Sequence, residues 1–115
     1  MSSLQIITRP IERSELKALA EERFGDMVKA VIDVERKAMA VGGELHADAE
    51  QLLLQQGSMQ EHLWGINLYP DTLTEDWLEF DSMINVRPQQ GNRSRSIDDP
   101  ALQERIRSII AFLII

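Results

Sequence analysis

The chain has 115 residues, 43% of them hydrophobic, a composition that suits a single domain over residues 1–115 with one core large enough to fold without staples. It contains no cysteine, so disulfides, thiolate metal sites and thiol catalysis are excluded. The balance of 19 acidic against 12 basic residues gives a formal charge of -7, which repels nucleic acid unless the basic residues gather in one place.

In chain order, Met1 to Pro10 carries neither a basic leader nor an apolar stretch of secretory length, so the cytoplasm is the expected compartment. Leu4 to Ile7 reads as a short strand that ends before Pro10. From Glu12 to Phe24, Leu16, Leu19, Ala20 and Phe24 recur at helical spacing, with Ser14 or Glu12 available to cap the start and Gly25 suited to the position after the end.

Val28 to Leu54 reads as a long β-hairpin about Gly42-Gly43. Pairing Val41 with Glu44 puts Ala30, Ile32, Val34, Ala38, Ala40, Leu45, Ala47, Ala49 and Leu53 on one side. Asp33, Glu35, Lys37, Met39, His46, Asp48 and Glu50 fall on the other. A rival reading makes residues 48–56 a helix, with Asp48 as N-cap and Gly57 after the C-terminus, since this stretch consists of strong helix formers. The hairpin is preferred because Val28, Val31, Ile32 and Val34 favour strand and the double glycine suits a primed turn.

Beyond the polar connector from Gln55 to His62, Leu63 to Tyr69 alternates as a third strand of the meander and Trp77 to Arg87 as a fourth. A final helix starts at Pro100 with Asp99 as N-cap and buries Leu102, Ile106, Ile109, Ile110 and Leu113. The expected fold is therefore α+β: a four-stranded antiparallel meander, plus a short N-terminal strand, packed against an N-terminal and a C-terminal helix. The apolar run from Ile109 to Ile115 is too short to span a bilayer, so no membrane is expected, and it needs cover from the sheet or from another subunit.

In the hairpin register Glu35 opposes Glu50, a like-charge pair that normally destabilises a sheet. A divalent metal ion held by Glu35, His46, Asp48 and Glu50 would explain it, and could activate water for hydrolysis. The plainer explanation is a solvated face on which Arg36 and Lys37 bridge the acids. His46 is alternatively a general base oriented by Asp48 or Glu50, its pKa raised by these carboxylates, which makes His46 and Asp48 the catalytic candidates. No nucleophile motif, phosphate loop or dinucleotide fingerprint accompanies them.

Arg87, Arg93 and Arg95 make a basic exception to an acidic chain. Arg87, Asn92, Arg93 and Ser94 can together present donors to a phosphate or carboxylate, while Asp98 and Asp99 oppose an anion there. A loop whose Asn and Ser satisfy local backbone groups is the plainer account. Trp64, Tyr69, Trp77 and Phe80 read as core packing rather than as a stacking platform.

The segments ERFGDMVKAVIDVER, GGELHADAE, LWGINLYP and SMINVRPQQGNRS together resemble an uncharacterised family of small prokaryotic proteins, a domain of unknown function, over almost the whole chain. The resemblance implies a free-standing domain and supplies no reaction, cofactor or partner. From the residues themselves, the leading function class is a non-enzymatic domain acting through binding or self-association, a homo-oligomer formed through the C-terminal apolar segment. The second is a metal-assisted hydrolase acting on phosphoesters, with Arg93 holding substrate. The third is a small RNA-cleaving toxin, which an acidic sheet face disfavours.

Overall fold

A computed structural model describes residues 4–115, so the first three residues of the Met1–Pro10 segment lie outside the described residues. The elements run β1 (Gln5–Ile7), α1 (Arg13–Arg23), β2 (Val28–Asp33), β3 (Ala38–Val41), α2 (His46–Gln55), β4 (Leu63–Leu68), β5 (Leu78–Glu79) and α3 (Pro100–Leu113), with 3₁₀ turns at Gln60–His62, Glu75–Trp77, Met83–Asn85 and Pro88–Gln90. The five strands form one antiparallel sheet in the order β1-β3-β2-β4-β5. The fold is α+β, as the sequence implies, with a third helix the meander does not include.

The terminal helices follow their local signals. Glu12 occupies the N-cap position of α1 without a side-chain capping bond, and Gly25 takes φ 90° after its end. In α3, Asp99 Oδ1 accepts from the Ala101 N–H at 2.9 Å and Pro100 fills the first turn, where a missing donor costs nothing. Leu16 and Ala20 of α1 and Ile106, Ile109, Ile110 and Leu113 of α3 pack on one face of the sheet against Ala30, Ile32, Val41 and Ile66. Each fully buried Leu or Ile there contributes about 2 kcal/mol from area removed from water.

The central hairpin turns at residues 34–37, not at the double glycine, and this corrects the expected register. Asp33 Oδ1 accepts from the N–H groups of Glu35 and Arg36, both at 2.9 Å, so an Asx turn starts the reversal. Lys37 completes it at φ 56°, donating its N–H to the Asp33 carbonyl at 2.8 Å. Gly42 and Gly43 instead lead from β3 into α2, and a Cβ on Gly43 would sit tightly, 3.2 Å from Leu4 Cδ1 and 3.4 Å from Asp48 Cβ. This stretch is helical, as the rival reading has it, but the helix begins at His46 with Leu45 rather than Asp48 at the N-cap, while Gly57 follows its end at φ 100°.

β3 and β4 are each antiparallel to β2, which lies between them, so they run parallel and must be joined by a crossover. α2 is that crossover. It buries Ala49 and Leu53 against Val31, Ala40 and Leu63 on the face opposite α1 and α3. The turn holds its far end: Ser58 Oγ donates to Asp33 Oδ2 at 2.6 Å, and the Arg36 guanidinium donates to the Gln56 and Gly57 carbonyls, the orphan acceptors of a helix C-terminus.

The expected fourth strand shortens to Leu78–Glu79, and the chain then closes into turns. Two buried carboxamides explain why. Asn85 accepts from the Gly65 N–H at 2.8 Å and donates to the Gly65 carbonyl at 2.9 Å, so a side chain takes the ladder position a strand would occupy. Asn92 donates to the carbonyls of Asn85, Ser94 and Ser96 and accepts from the Asp98 N–H. Gly65 admits this segment because a Cβ there would lie 2.6 Å from Ser82 Cβ.

At the C-terminus the chain's own core covers Ile109, Ile110, Leu113 and Ile114, and Ile114 bridges Ile11. Phe112 and Ile115 stay 61% and 70% exposed. No helix among the described residues is long and apolar enough to cross a membrane.

Candidate functional site

β2 and β4 are buried on both faces, so nearly all their side chains are apolar. The exceptions are Lys29 and Asp33 on β2 and Asn67 on β4. Asp33 is consumed by the turn and by Ser58. Lys29 and Asn67 are cross-strand partners, Asn67 is in turn the partner of Glu79 on β5, and the three make one polar row across three strands. α2 covers the neighbouring apolar rows and begins at this one, leaving an open cleft of 550 Å³ between its first turn, the row and residues 81–84.

His46, the first residue of α2, lines this cleft, and its Nε2 lies 2.9 Å from the Ile66 carbonyl. A carbonyl only accepts, so Nε2 carries the hydrogen. Burial pushes the ring below its ordinary pKa of 6.5 and the Lys29 charge adds to this, against the opposing pull of the Ile66 carbonyl, Asn67 and Asp81. At neutral pH His46 is therefore an uncharged donor to Ile66 with its lone pair on Nδ1. The expected rise of its pKa does not occur, because the carboxylates assigned to it are elsewhere.

Asn67 is only 6% exposed, and its Nδ2 donates to Glu79 Oε1 at 2.8 Å and to the Asp81 carbonyl at 3.3 Å. Both partners are acceptors, which fixes the amide and leaves Oδ1 buried without a hydrogen bond. The His46 ring lies close enough for Asn67 to favour its charged form, but short of hydrogen-bond geometry. The Tyr69 hydroxyl also donates to Glu79 Oε1, at 3.2 Å, and burial followed by the Glu79 charge raises the phenol's pKa. At the rim Arg95 pairs with Asp81 at 2.8 Å, the two charges cancelling locally.

The residues singled out as metal ligands are not brought together. Glu35 sits in the β2–β3 turn, 3.6 Å from Arg105 of α3. Asp48 folds back to accept from the Leu45 N–H at 3.1 Å, closing the start of α2. Glu50 lies near Arg87, with Oε2 buried and unbonded. Among the described residues no group of three or more His, Asp or Glu is placed to hold a metal ion. The basic segment disperses likewise. Arg87 stacks 4.0 Å over Trp64 and donates to the Gln60 and Leu63 carbonyls. Asn92 is the buried loop hub described above. Ser94 Oγ donates to Asp98 Oδ1 at 2.6 Å, and Arg93 is exposed.

Lys29, Asn67, Tyr69 and Glu79 were missed as site residues. A usable signal existed: an isolated Lys and an isolated Asn inside otherwise apolar central strands. Trp64 packs in the core as expected, and Trp77 and Phe80 pack against it at half-buried positions, with Arg13 4.0 Å over the Trp77 ring and Arg107 5.2 Å from the Phe80 ring; Tyr69 instead joins the cleft.

The chain belongs to the family described as Protein of unknown function (DUF5674), whose model matches residues 5–113. No curated protein and no solved structure matches it.

Proposed function

We propose that the protein is a binding domain whose ligand is a small polar molecule held in the cleft over Lys29, Asn67 and Glu79. The observation that carries this reading is the placement of polar side chains inside two central strands at the one row that α2 leaves uncovered. Burying such groups is costly unless they are satisfied, and an apolar row closed by a longer helix would be the more stable alternative. A cleft of this volume is ordinary for a small-ligand site. Phosphoester hydrolysis and RNA cleavage find no support here, since the residues assigned to them do not converge.

Amide-resolved NMR with a panel of amino acids, amines, carboxylates, sugars and nucleosides tests the reading. Saturable shifts confined to residues 46–47, 67–69 and 79–82 for at least one class are expected. If no class moves these signals up to its solubility, the reading falls.

A second reading, self-association, rests on Phe112 and Ile115, the apolar C-terminal side chains left in solvent. It is expected to give a dimer by sedimentation that Phe112→Ser dissociates. A wild-type chain that sediments as a monomer throughout would reject it.

A further inference from the structure

Resting on the cleft reading above, we propose that the ligand is a zwitterion, an amine joined to a carboxylate by a short spacer, lying along the Lys29–Asn67–Glu79 row with its carboxylate toward Lys29 and its amine toward Glu79. The row is graded in charge: a cation on β2, a neutral amide on β4, an anion on β5, at adjacent register positions on one face.

The charges have different amounts of local cover. Asp81 is engaged by Arg95 at 2.8 Å, which weakens its pull on the amine relative to that of Glu79. No carboxylate pairs with Lys29 among the described residues; its ammonium lies 5.2 Å from the Phe24 ring. The two hydrogen bonds to Glu79 both fall on Oε1, from Asn67 and Tyr69, and leave Oε2 with its lone pairs. Asn67, between Lys29 and Glu79 in the row, leaves its Oδ1 buried without a hydrogen bond, so the protein does not fully satisfy the row by itself.

Two interstrand spacings of about 4.8 Å put the backbones of Lys29 and Glu79 about 10 Å apart. Both side chains are long and flexible, so the row takes a spacer of a few methylenes without fixing its length.

The probes are γ-aminobutyrate, butylamine and butyrate, titrated into the full chain with the cleft amides observed. The zwitterion is expected to bind at least about tenfold tighter than either single-charge analogue. Glu79→Gln, which keeps the oxygen that accepts from Asn67 and Tyr69, is expected to reduce its affinity to that of butyrate, and Lys29→Met to that of butylamine. Equal affinity of the three probes for the wild-type protein, or no binding by any of them, overturns the zwitterion. Because the wild-type comparison decides by itself, a variant that fails to fold does not rescue the proposal. The cleft reading falls separately, only if the wider panel of sugars, nucleosides and neutral molecules is silent too.

Discussion

The two faces of the sheet are built on different terms. The face under α1 and α3 is continuous and dry, with Ile32, Met39, Ile66, Ile106, Ile110 and Leu113 all fully buried. The face under α2 has a smaller apolar cluster flanked by satisfied polar groups: Asp33 with Ser58 at one end, and Asn85 with Gly65 beside β4. Beyond the first turn of α2 comes the unsatisfied row. One face supplies stability and leaves the other free to hold polar groups that are imperfectly paired, which is where binding chemistry is expected.

The sharpest way to break this contrast is to cut the dry face. Ile106→Ala is expected to lower unfolding free energy by about 3 kcal/mol in urea denaturation, through lost burial and the cavity left behind. The cleft residues should keep their chemical shifts under native conditions. A change at His46 as large as that at the mutated site would show that the faces are not independent.

Asn85→Ala probes the second face. It strips three hydrogen bonds, to Gly65 N–H, Gly65 carbonyl and Arg95 carbonyl, from a buried site, and about 2 kcal/mol is expected to be lost. Faster hydrogen exchange at Gly65 and at residues 82–85 should accompany it. Protection unchanged at Gly65 would mean that the ladder does not depend on this side chain.

Arg36→Ala removes the donors to the Gln56 and Gly57 carbonyls and is expected to cost about 1 kcal/mol, because water reaches these exposed groups. Fraying should be confined to the last turn of α2. If the first turn, around His46, loosened equally, the cleft would have to be regarded as held from the far end of the helix.

The smallest effect is that of pH. The folded-state pKa of His46 is lowered from 6.5 by burial, so below pH 6.5 the unfolded chain takes up its proton before the folded one does. Its contribution is complete above that pH, declines as pH falls through the folded value, and levels off below it. Ring signals titrating with a midpoint under 6.5 would confirm the shift. A midpoint above 6.5 would restore the carboxylate neighbours that the structure removes from this histidine.

The strand at Leu4–Ile7, the α1 pattern with Gly25, the strand from Leu63 and the Asp99-Pro100 start of α3 were all legible, because each signal acts within a turn of helix or a few residues of strand. The fourth strand was half legible. Leu78 starts it, but the carboxamides of Asn85 and Asn92 compete with a ladder, and an alternating pattern does not reveal that. The candidate site was barely legible: His46 was found, but with the wrong neighbours, and Lys29, Asn67 and Glu79 drew no notice as a group because they are far apart in the chain.

By itself, then, the sequence determined the terminal helices, the strand-forming segments and the absence of thiol chemistry. Where the chain reversed was left to tertiary structure. Gly42-Gly43 carries the same local freedom whether it closes a hairpin or leads into a helix, and Asp33, by capping an earlier turn that Ser58 and Arg36 then lock to α2, resolved the choice. A strand register assigns every side chain to a face, so this one decision dispersed the expected acidic cluster and placed a lysine, an asparagine and a glutamate side by side.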